Sequence, residues 1–550
     1  MISRRSFLSR STLATAGALV VPQNTSHLLR ADGTAAVVVP TPHHNDPHLH
    51  LFVDDFEIES RDYLTRVLNK PEKHPQPVLV RDRPWEGDRV QAWGTVIQEP
   101  DGLLRIWYFA MNTRNMFPHG VYDGKTGSYC YAESRDGIHW EKPNLRIFEF
   151  EGSTDNNIFY CYAPDKKNLV EVELARRGTG LPALNLDGKQ IGVVNNMDGI
   201  GSVLRDDSEP DPNKRYKLVA NMQDHRMWAP YHKGQYPNVT KQQVQQARSV
   251  FGQYIDTSPD GIHWTRRPRR VLSAVADYML VARDHRNQHW WLNERMAGQG
   301  GRNAALRTSQ DLIHWTDPEM IFDNGADSEY GKLFEWHGGI TPFNYGNLNL
   351  GLLEKWCNTG FGETCELVVG RDGQKWNRVA PGTPFLDIGP EGAFDRLLAY
   401  PTHNAPCLVG DRLLIFYTGG APTEDDGRGQ HMSIGVASVR LDRFAGLAHR
   451  RRTPGQLVTK PLEVPHRGLE INAEPLYQSS VRLAIERADG SPIDGYGLEQ
   501  SQIRLDPMQA RVPARWKNKP DLAELQGQQV RLRFEIKQAS LYAYRFFEPA

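Results

Sequence analysis

The feature that most constrains the fold is a seven-residue motif that recurs along the chain. It reads Ser-Arg-Asp-Gly-Ile-His-Trp at residues 134–140 and returns with few changes at residues 258–264 and 309–315. A looser copy occupies residues 370–376, and a degenerate copy occupies residues 438–444. Asp and Gly suit a tight turn with positive φ, and the aromatic residue suits an outer strand packed on its neighbours. Such repetition indicates an array of similar units, and the histidines that recur with the turn are interpreted as structural.

Each copy is preceded by further strand-like stretches. In the first unit, residues 92–97 lead through a turn at 99–102 to residues 104–109, and residues 128–133 form the third stretch. Runs of this kind between turns rich in Gly, Pro, Asn and Asp indicate antiparallel strands. Four strands per unit and five units predict an all-β fold, a five-bladed β-propeller over residues 47–450.

The ends of the repeat region differ from its middle. Residues 480–485 and 530–536 alternate in polarity but carry no copy of the motif. Beyond a link at 450–455 they predict a small β-sandwich over residues 456–550. At the other end, residues 49–60 are predicted to supply a strand that closes the propeller ring.

The N-terminus carries the pattern of a bacterial export signal. Residues 3–8 read Ser-Arg-Arg-Ser-Phe-Leu, and a mild apolar run follows at residues 13–21. Paired arginines before a short apolar run are typical of twin-arginine signals, which a receptor reads. The run is shorter than the ~20 residues of a membrane span. Residues 1–30 are therefore predicted to be a signal handled by the twin-arginine machinery. The mature protein is expected to be periplasmic or extracellular, with no transmembrane segment.

Composition excludes some functions and favours others. The formal net charge is −1, so the chain shows no electrostatic footprint for nucleic acid. The 13 Trp and 20 Tyr suit both sheet packing and flat surfaces on which sugar rings stack. The 5 cysteines are scattered, so no disulfide framework follows, although Cys357 and Cys365 could either bridge or remain buried thiols. No metal signature occurs, so no metal or cofactor is predicted, and no ligand spacing argues for Ca²⁺ in the channel.

The motif and the domain order resemble a known group of enzymes. A Ser-x-Asp-x-x-x-Trp motif, as at residues 258–264, with a C-terminal sandwich resembles glycoside hydrolase family 32 and its five-bladed relatives in families 43, 68, 117 and 130. The tail segments 457–462, 470–473 and 528–534 are similar to sandwich domains found beside such propellers. The resemblance spans residues 47–550 and implies a glycoside hydrolase that acts on an oligo- or polysaccharide.

The chain departs from family 32 at its diagnostic stretches, Trp-Met-Asn-Asp-Pro-Asn-Gly, Arg-Asp-Pro and Glu-Cys-Pro. It has only Asn-Asp-Pro at residues 45–47, and residues 365–366 read Cys-Glu, the reverse order. The β-fructosidase activity of that family is therefore not carried over.

Glycoside hydrolysis requires two carboxyl groups, one acting as acid and the other as nucleophile or base. In a propeller the starts of the innermost strands converge at one mouth of the channel, so acids distant in sequence meet there. The acids near these starts are Asp88, Asp198, Asp277, Asp327, Glu329 and Asp395. We predict Asp88 as nucleophile or base, Glu329 as acid, and Asp198 or Asp277 as a third carboxylate that tunes them. The open alternative is that several of these acids cap turns.

The ends of the second strands return to the same mouth. They carry Glu294 and Glu354, which are predicted as alternative acids. The arginines of this region offer a planar fork of donors to a carboxylate, a sulfate or sugar hydroxyls, or else form ion pairs between blades. Long loops at residues 111–127, 225–246 and 419–431 are predicted to set specificity. The predicted substrate-binding residues are Arg295, Arg302, Asp395, His403, Trp228 and His119.

Two other functions remain open at the level of sequence. A glycoside phosphorylase would need a basic cluster for phosphate, which Arg295, Arg302 and Arg396 could form. A non-catalytic carbohydrate-binding propeller would lack carboxyl groups paired at roughly 5 to 9.5 Å, the separation that hydrolysis requires.

Overall fold

A computed structural model describes most of the chain. The described residues are 46–111, 127–160, 184–186, 189–191, 200–222, 239–250, 252–267, 269–273, 279–298, 301–324, 334–335, 339–357, 362–372, 375–422 and 430–549. Within these ranges the structure is almost entirely β, with one α-helix, α1 (Lys241–Val250). Short 3-10 helices occur at Pro84–Glu86, Pro212–Lys214, Leu498–Gln500 and Ala523–Leu525. The predicted all-β, propeller-like fold is confirmed. The described residues contain no helix long and apolar enough to cross a membrane.

The strands are numbered in chain order. Four short strands come first: β1 (Leu49–Leu51), β2 (Ile58–Asp62), β3 (Thr65–Leu68) and β4 (Glu72–Lys73). Blade one contains β5 (Arg89–Gln98), β6 (Leu104–Met111), β7 (Gly127–Ser134) and β8 (Ile158–Tyr160). A separate hairpin contains β9 (Leu184–Leu186) and β10 (Lys189–Ile191). Blade two contains β11 (Ile200–Arg205), β12 (Tyr216–Met222), β13 (Gly252–Ser258) and β14 (Arg270–Leu272).

The later blades follow the same antiparallel pattern. Blade three contains β15 (Met279–Asp284), β16 (His289–Gly298), β17 (Gly301–Ser309) and β18 (Glu319–Phe322). Blade four contains β19 (Phe334–Glu335), β20 (Ile340–Tyr345), β21 (Leu348–Cys357), β22 (Glu363–Gly370) and β23 (Trp376–Arg378). Blade five contains β24 (Leu398–Pro401), β25 (Cys407–Val409), β26 (Arg412–Pro422) and β27 (Gln430–Arg440). The C-terminal strands are β28 (Ala445–Ala448), β29 (Gly455–Thr459), β30 (Leu462–Glu463), β31 (Gly468–Arg487), β32 (Val512–Pro513) and β33 (Gln529–Phe547).

The repeated motif forms the turn that leads into the outermost strand. In the first copy, one oxygen of Asp136 accepts the backbone N–H groups of Ile138 and His139, each at 2.8 Å. The other oxygen contacts His139 Nδ1 at 2.7 Å, and Gly137 adopts a φ of +77°. The same side-chain contacts recur around Asp260 and Asp311. The turn histidines are therefore engaged within their own turns, as the sequence indicates.

Neighbouring blades pack face to face, including the first on the last. Each interface is an apolar cluster to which both blades contribute. Representative pairs are Trp107 with Tyr216, Val219 with Val281, Leu306 with Ile340, Leu367 with Leu413, and Ile106 with Phe416. The burial of one sheet face against the next stabilises the ring as in other propellers.

The innermost strands enclose a channel. An inner strand has an open edge whose backbone donors need partners. Side chains of neighbouring blades accept several of these N–H groups. The bonds are Val203 N–H to Thr95 Oγ1 (3.0 Å), Val281 N–H to Ser202 Oγ (3.0 Å), His285 N–H to Asn344 Oδ1 (2.7 Å) and Val96 N–H to Asn404 Oδ1 (2.8 Å). Residues from the inner strands of all five blades line one cavity of ≈ 210 Å³ in the channel.

The strand that closes the ring differs from the prediction. Blade five receives β4, with Lys73 opposite Ala437, and a further bridge joins Leu79 to Ile434. The prediction that residues 49–60 supply the closing strand is wrong. Its strand β1 pairs with β33, and β2 pairs with β29, so the segment joins the C-terminal sheet. That sheet has nine strands and includes β1–β3 with β28–β33.

Candidate active site

The mouth of the channel is the end at which the innermost strands begin. Several predicted site residues lie outside the described residues, and their roles stay predictions. They are Asp198, Asp277, Asp327, Glu329, Trp228 and His119. The described ones occupy three kinds of environment: the rim, the blade interiors and the channel.

Asp88 stands at the rim, directly before β5. The preceding Gly87 has a φ of +67°, which turns the chain out of the short helix Pro84–Glu86 and into the strand. The Asp88 side chain is 24% exposed, and Arg89 Nε lies 3.4 Å from its Oδ1. Asp88 therefore presents a carboxylate with an adjacent guanidinium at the edge of blade one.

Asp395 and Glu294 are held inside the protein. Asp395 is buried, and its Oδ2 accepts from Lys73 Nζ at 2.6 Å and from the Tyr417 hydroxyl at 2.9 Å. Glu294 is fully buried, and Arg307 donates to both of its oxygens, at 2.6 and 3.3 Å. Asp395 thus anchors the closing strand β4 to blade five, and Glu294 ties β16 to β17. The predicted roles in binding and catalysis gain no support from these contacts.

Glu354 lies in a different setting, on β21 opposite Cys365 of β22. Glu363 begins β22, two residues before Cys365. Residues two apart on a strand share a face, and directly opposite residues do too, so both glutamates lie on one face of blade four. They are diagonal neighbours, whose separation in such ladders is roughly 7–8 Å. Glu354 is 2% exposed and Glu363 is 4% exposed, so the pair is buried.

That face of blade four meets blade five near the mouth. Cys365 Sγ donates to the carbonyl of Ala399 on β24 at 3.5 Å. Glu363 N–H donates to the Leu397 carbonyl at 2.9 Å, and Glu363 pairs with Leu398. Glu354 N–H donates to the Gly339 carbonyl at 2.9 Å, level with the start of the inner strand β20. The glutamate pair is therefore placed at the height of the predicted mouth, between two blades.

Tyr400 lies on β24, the strand that pairs with β22 at Glu363. It is 3% exposed on β24 and packs with Leu398 and Met432. Burial raises the pKa of Tyr400 well above its usual value, the carboxylates of Glu363 and Glu354 raise it further, and Arg89 opposes them. The charges of Glu363, Glu354 and Arg89 therefore all act on the Tyr400 phenol.

The thiol between the glutamates stays neutral. Burial raises the pKa of Cys365 well above its usual value, and the charges of Glu354 and Glu363 add to this. Cys365 is a free thiol, so the possible bridge to Cys357 is not formed. Within the described ranges, no three His, Cys, Asp or Glu side chains are grouped to hold a metal ion.

The predicted arginines lie in two different places. The Arg302 guanidinium, at the start of β17, stacks over the Trp356 ring with 4.8 Å to its centroid. Trp356 follows Glu354 by two residues, so Arg302 brings a cation from blade three beside blade four. Arg295 lies on β16 opposite Ala304 and is partly exposed. Arg396 pairs at the surface with Glu391 at 2.9 Å. Arg302 is therefore the predicted arginine that contacts the wall of the glutamate site.

His403 lies deeper in the channel, three residues beyond Tyr400. It is buried, lines the ≈ 210 Å³ cavity, and its N–H donates to the Gly94 carbonyl at 3.0 Å. The structure thus separates His403, in the channel, from the glutamates near the mouth.

Sequence reasoning missed Glu363 and Tyr400. The acids predicted from the sequence lie at the starts of first strands and at the ends of second strands, whereas Glu363 begins a third strand. Because β21 and β22 form a hairpin, β22 starts at the mouth where β21 ends. Acids at the starts of third strands therefore also lie near the mouth, and Glu363 is such an acid. Tyr400 carries no sequence signal, because its importance lies in contacts between blades.

No family model matches the sequence, and no curated protein matches it. Solved structures of similar fold include a β-1,2-mannobiose phosphorylase from Listeria innocua in complex with β-1,2-mannobiose (TM-score 0.40, 11% identity, covering 68% of this chain and 97% of that one). Another is the catalytic domain of a GH62 α-L-arabinofuranosidase from Coprinopsis cinerea (0.38, 11%, 68% and 98%). A thermostable family-43 glycoside hydrolase is a third (0.38, 12%, 65% and 93%). These neighbours are glycoside hydrolases and a phosphorylase. The function proposed below rests on the side chains of this chain.

Proposed function

We propose that this chain is a glycoside hydrolase whose two catalytic carboxyl groups belong to Glu354 and Glu363. The observation that carries the proposal is the burial of both side chains on one face of blade four, beside the mouth of the channel. Their diagonal placement sets the two backbones roughly 7–8 Å apart, from which two glutamate side chains can reach the roughly 5 to 9.5 Å that separates the carboxyl groups of glycosidases.

The surroundings of the pair suit such chemistry. Glycoside hydrolysis needs two carboxyl groups near each other, one as proton donor and one as nucleophile or base, and the pair supplies both. Glu354 is the predicted alternative acid, and the predicted nucleophile or base Asp88 lies at the edge of blade one beside Arg89.

The substrate of the proposed enzyme is a carbohydrate, and export by the predicted signal at residues 1–30 would bring the enzyme to sugars outside the cytoplasm. Trp356 and Arg302 form an amphipathic wall beside Glu354, of the kind on which a sugar ring and its polar groups can rest. Whether the bond is cleaved with retention or inversion depends on the separation of the two carboxyl groups.

The test is hydrolysis of a panel of aryl glycosides and polysaccharides by the wild-type protein, Glu354→Gln and Glu363→Gln. The matched control is Glu391→Gln, which makes the same change at an exposed glutamate. We expect each site variant to lose at least about a hundredfold in kcat/KM, the range that positioned acids and bases supply, with unchanged thermal unfolding.

Activity within about threefold of wild type in both site variants would refute the residue assignment. Binding of a sugar without hydrolysis in any reaction would favour the non-catalytic propeller. Each reaction is run with and without inorganic phosphate, because turnover that requires phosphate would identify a phosphorylase.

A further inference from the structure

A second groove lies at the seam between blades one and two, whereas the glutamate pair lies between blades four and five. Residues 147–148 and 159–160 of blade one and residues 262–266 of blade two line this groove. Its volume of ≈ 290 Å³ is close to the lower end of the range for small-molecule sites, roughly 300–1,000 Å³. The groove therefore has room for a ligand of about one ring.

Four aromatic side chains line the groove: Phe148, Phe159, Tyr160 and Trp264. Phe159 and Tyr160 are buried in the apolar cluster between the two blades. Phe148 and Trp264 are only half-buried, so part of each ring stays accessible. The rings of Phe159 and Trp264 lie 6.5 Å apart at an angle of 52°. Flat apolar faces of this kind are surfaces on which a sugar ring can stack.

Polar groups accompany these rings. The half-buried Arg266 guanidinium lies over the Tyr160 ring, 4.0 Å from its centroid. The His263 side chain is 67% exposed, and its Nδ1 lies 2.7 Å from Asp260. A purely apolar ligand would take these groups out of water without replacing their hydrogen bonds, which costs free energy. A sugar brings both an apolar ring face and hydroxyl groups, and a guanidinium offers a planar fork of donors to such hydroxyls.

Trp264 differs from its counterparts in two other copies of the motif. The indole N–H groups of Trp140 and Trp315 each donate to a carbonyl of their own turn at 3.2 Å. The equivalent carbonyl, that of Gly261, accepts from Trp107 at 2.7 Å. The Trp264 N–H is buried and has no partner within the described ranges. Buried donors are nearly always paired, with ordered water or a ligand where the protein supplies no acceptor. The tryptophan that lines the groove thus retains an unused donor.

We propose that this groove is a second carbohydrate-binding site, which holds one sugar residue of an oligo- or polysaccharide against Trp264. The sugar ring stacks on the accessible part of the indole, and Arg266 donates to hydroxyl groups at the edge of the sugar. Binding here requires no catalytic carboxyl group, so the site stands whether or not Glu354 and Glu363 perform hydrolysis. It keeps a long polysaccharide at a high effective concentration near the protein, an advantage that a single short sugar does not gain.

The test is affinity electrophoresis of the whole protein in native gels that contain laminarin, arabinoxylan, galactomannan or pectin. The variants are Trp264→Leu, which removes the aromatic ring, and Arg266→Gln, which removes the charge. The matched control is Trp315→Leu, the same change at the equivalent half-buried tryptophan of the third copy. We expect at least one polysaccharide to retard the wild type. Each groove variant should raise the dissociation constant about tenfold, and the control should leave it unchanged.

Thermal unfolding of each variant shows whether it folds. If Trp264→Leu does not, Arg266→Gln and the milder Trp264→Phe decide the result. Equal retardation of the wild type and the folded groove variants would overturn the proposal, and so would a wild type that no gel retards. Retardation that Glu354→Gln or Glu363→Gln abolishes, while the groove variants keep it, would place the binding at the mouth and overturn the proposal too.

The outcomes for the two proposals are separate. Retardation lost only in the groove variants, in a protein that hydrolyses no glycoside, would refute the proposed function and support the groove. Hydrolysis that Glu354→Gln and Glu363→Gln abolish, with no retardation in any gel, would do the reverse.

Discussion

Replacement of Asp442 by Asn should be among the most destabilising single changes in this protein. The Asp442 carboxylate is fully buried and accepts from Arg511 at 2.7 and 3.0 Å, from the Tyr345 hydroxyl at 2.8 Å and from Asn472 at 3.2 Å. These partners belong to blade four and the C-terminal sheet, so one carboxylate joins them to blade five. Asn is chosen because Asp442 has a φ of +65°, which Asn tolerates better than most residues.

The expected loss of stability arises from Arg511, which would remain buried without the Asp442 carboxylate. Removal of one member of a buried ion pair typically costs about 3–5 kcal/mol, because the remaining charge has no counter-charge. We expect Asp442→Asn to lower the free energy of unfolding by this amount in urea, with an unchanged m value. Glu499→Gln is the control, since the exposed Arg482–Glu499 pair at 3.2 Å should contribute less than about 1 kcal/mol.

The same network predicts a dependence on pH. Burial opposes ionisation, but the charge and bonds of Arg511 hold the pKa of Asp442 below its usual value. A lowered folded pKa contributes stability that is present above the unfolded value, about 3.9, and is lost as the pH falls below it. The difference between wild type and Asp442→Asn should therefore shrink below about pH 4. A difference under about 1 kcal/mol at pH 7 would refute the reasoning.

Two further outcomes concern the blades. A Cβ on Gly94 would lie 1.8 Å from the Trp107 carbonyl oxygen, so Gly94→Ala should cost about 1–3 kcal/mol or more and lower the midpoint of thermal unfolding; an unchanged midpoint would contradict the packing. In the first copy of the repeated turn, the Trp140 indole N–H donates to the turn carbonyl at 3.2 Å. In the second copy, Trp107 donates to the equivalent carbonyl, that of Gly261, and the Trp264 N–H has no partner among the described residues. Trp140→Phe should therefore cost about 1 kcal/mol more than Trp264→Phe in urea denaturation, and equal costs would contradict this.

The blades could be predicted because their signal is local. An Asp-Gly turn followed by Trp encodes its own geometry, as the bonds around Asp136 show. The helix α1 has a local signal too, although residues 225–246 are predicted to be a loop. Thr240 Oγ1 accepts from Gln243 N–H at 3.2 Å while Gln243 Oε1 accepts from Thr240 N–H at 2.8 Å, which is the capping box that Thr-x-x-Gln predicts.

The closing strand and the candidate active site have no local sequence signal of this kind. Residues 49–60 and 72–79 both offer short strands, and only pairing with distant partners decides which one completes blade five. The position of Asp395 before a first strand predicts an acid near the mouth, but its bond to Lys73 joins residues 322 apart in sequence. Glu354 is predicted from its position at the end of a second strand. The place of Tyr400 near the glutamates depends on how blades four and five meet, which no local pattern encodes.

The most direct test of the central claim is the dependence of hydrolysis on the leaving group in Glu354→Gln and Glu363→Gln. A proton donor matters most when the leaving group is a poor one, whereas a nucleophile or base is needed for every substrate. We expect Glu354→Gln to retain activity on an activated dinitrophenyl glycoside and to lose it on an unactivated linkage. Glu363→Gln should lose both. Full activity of either variant on the unactivated linkage would contradict the claim that this buried pair performs the chemistry.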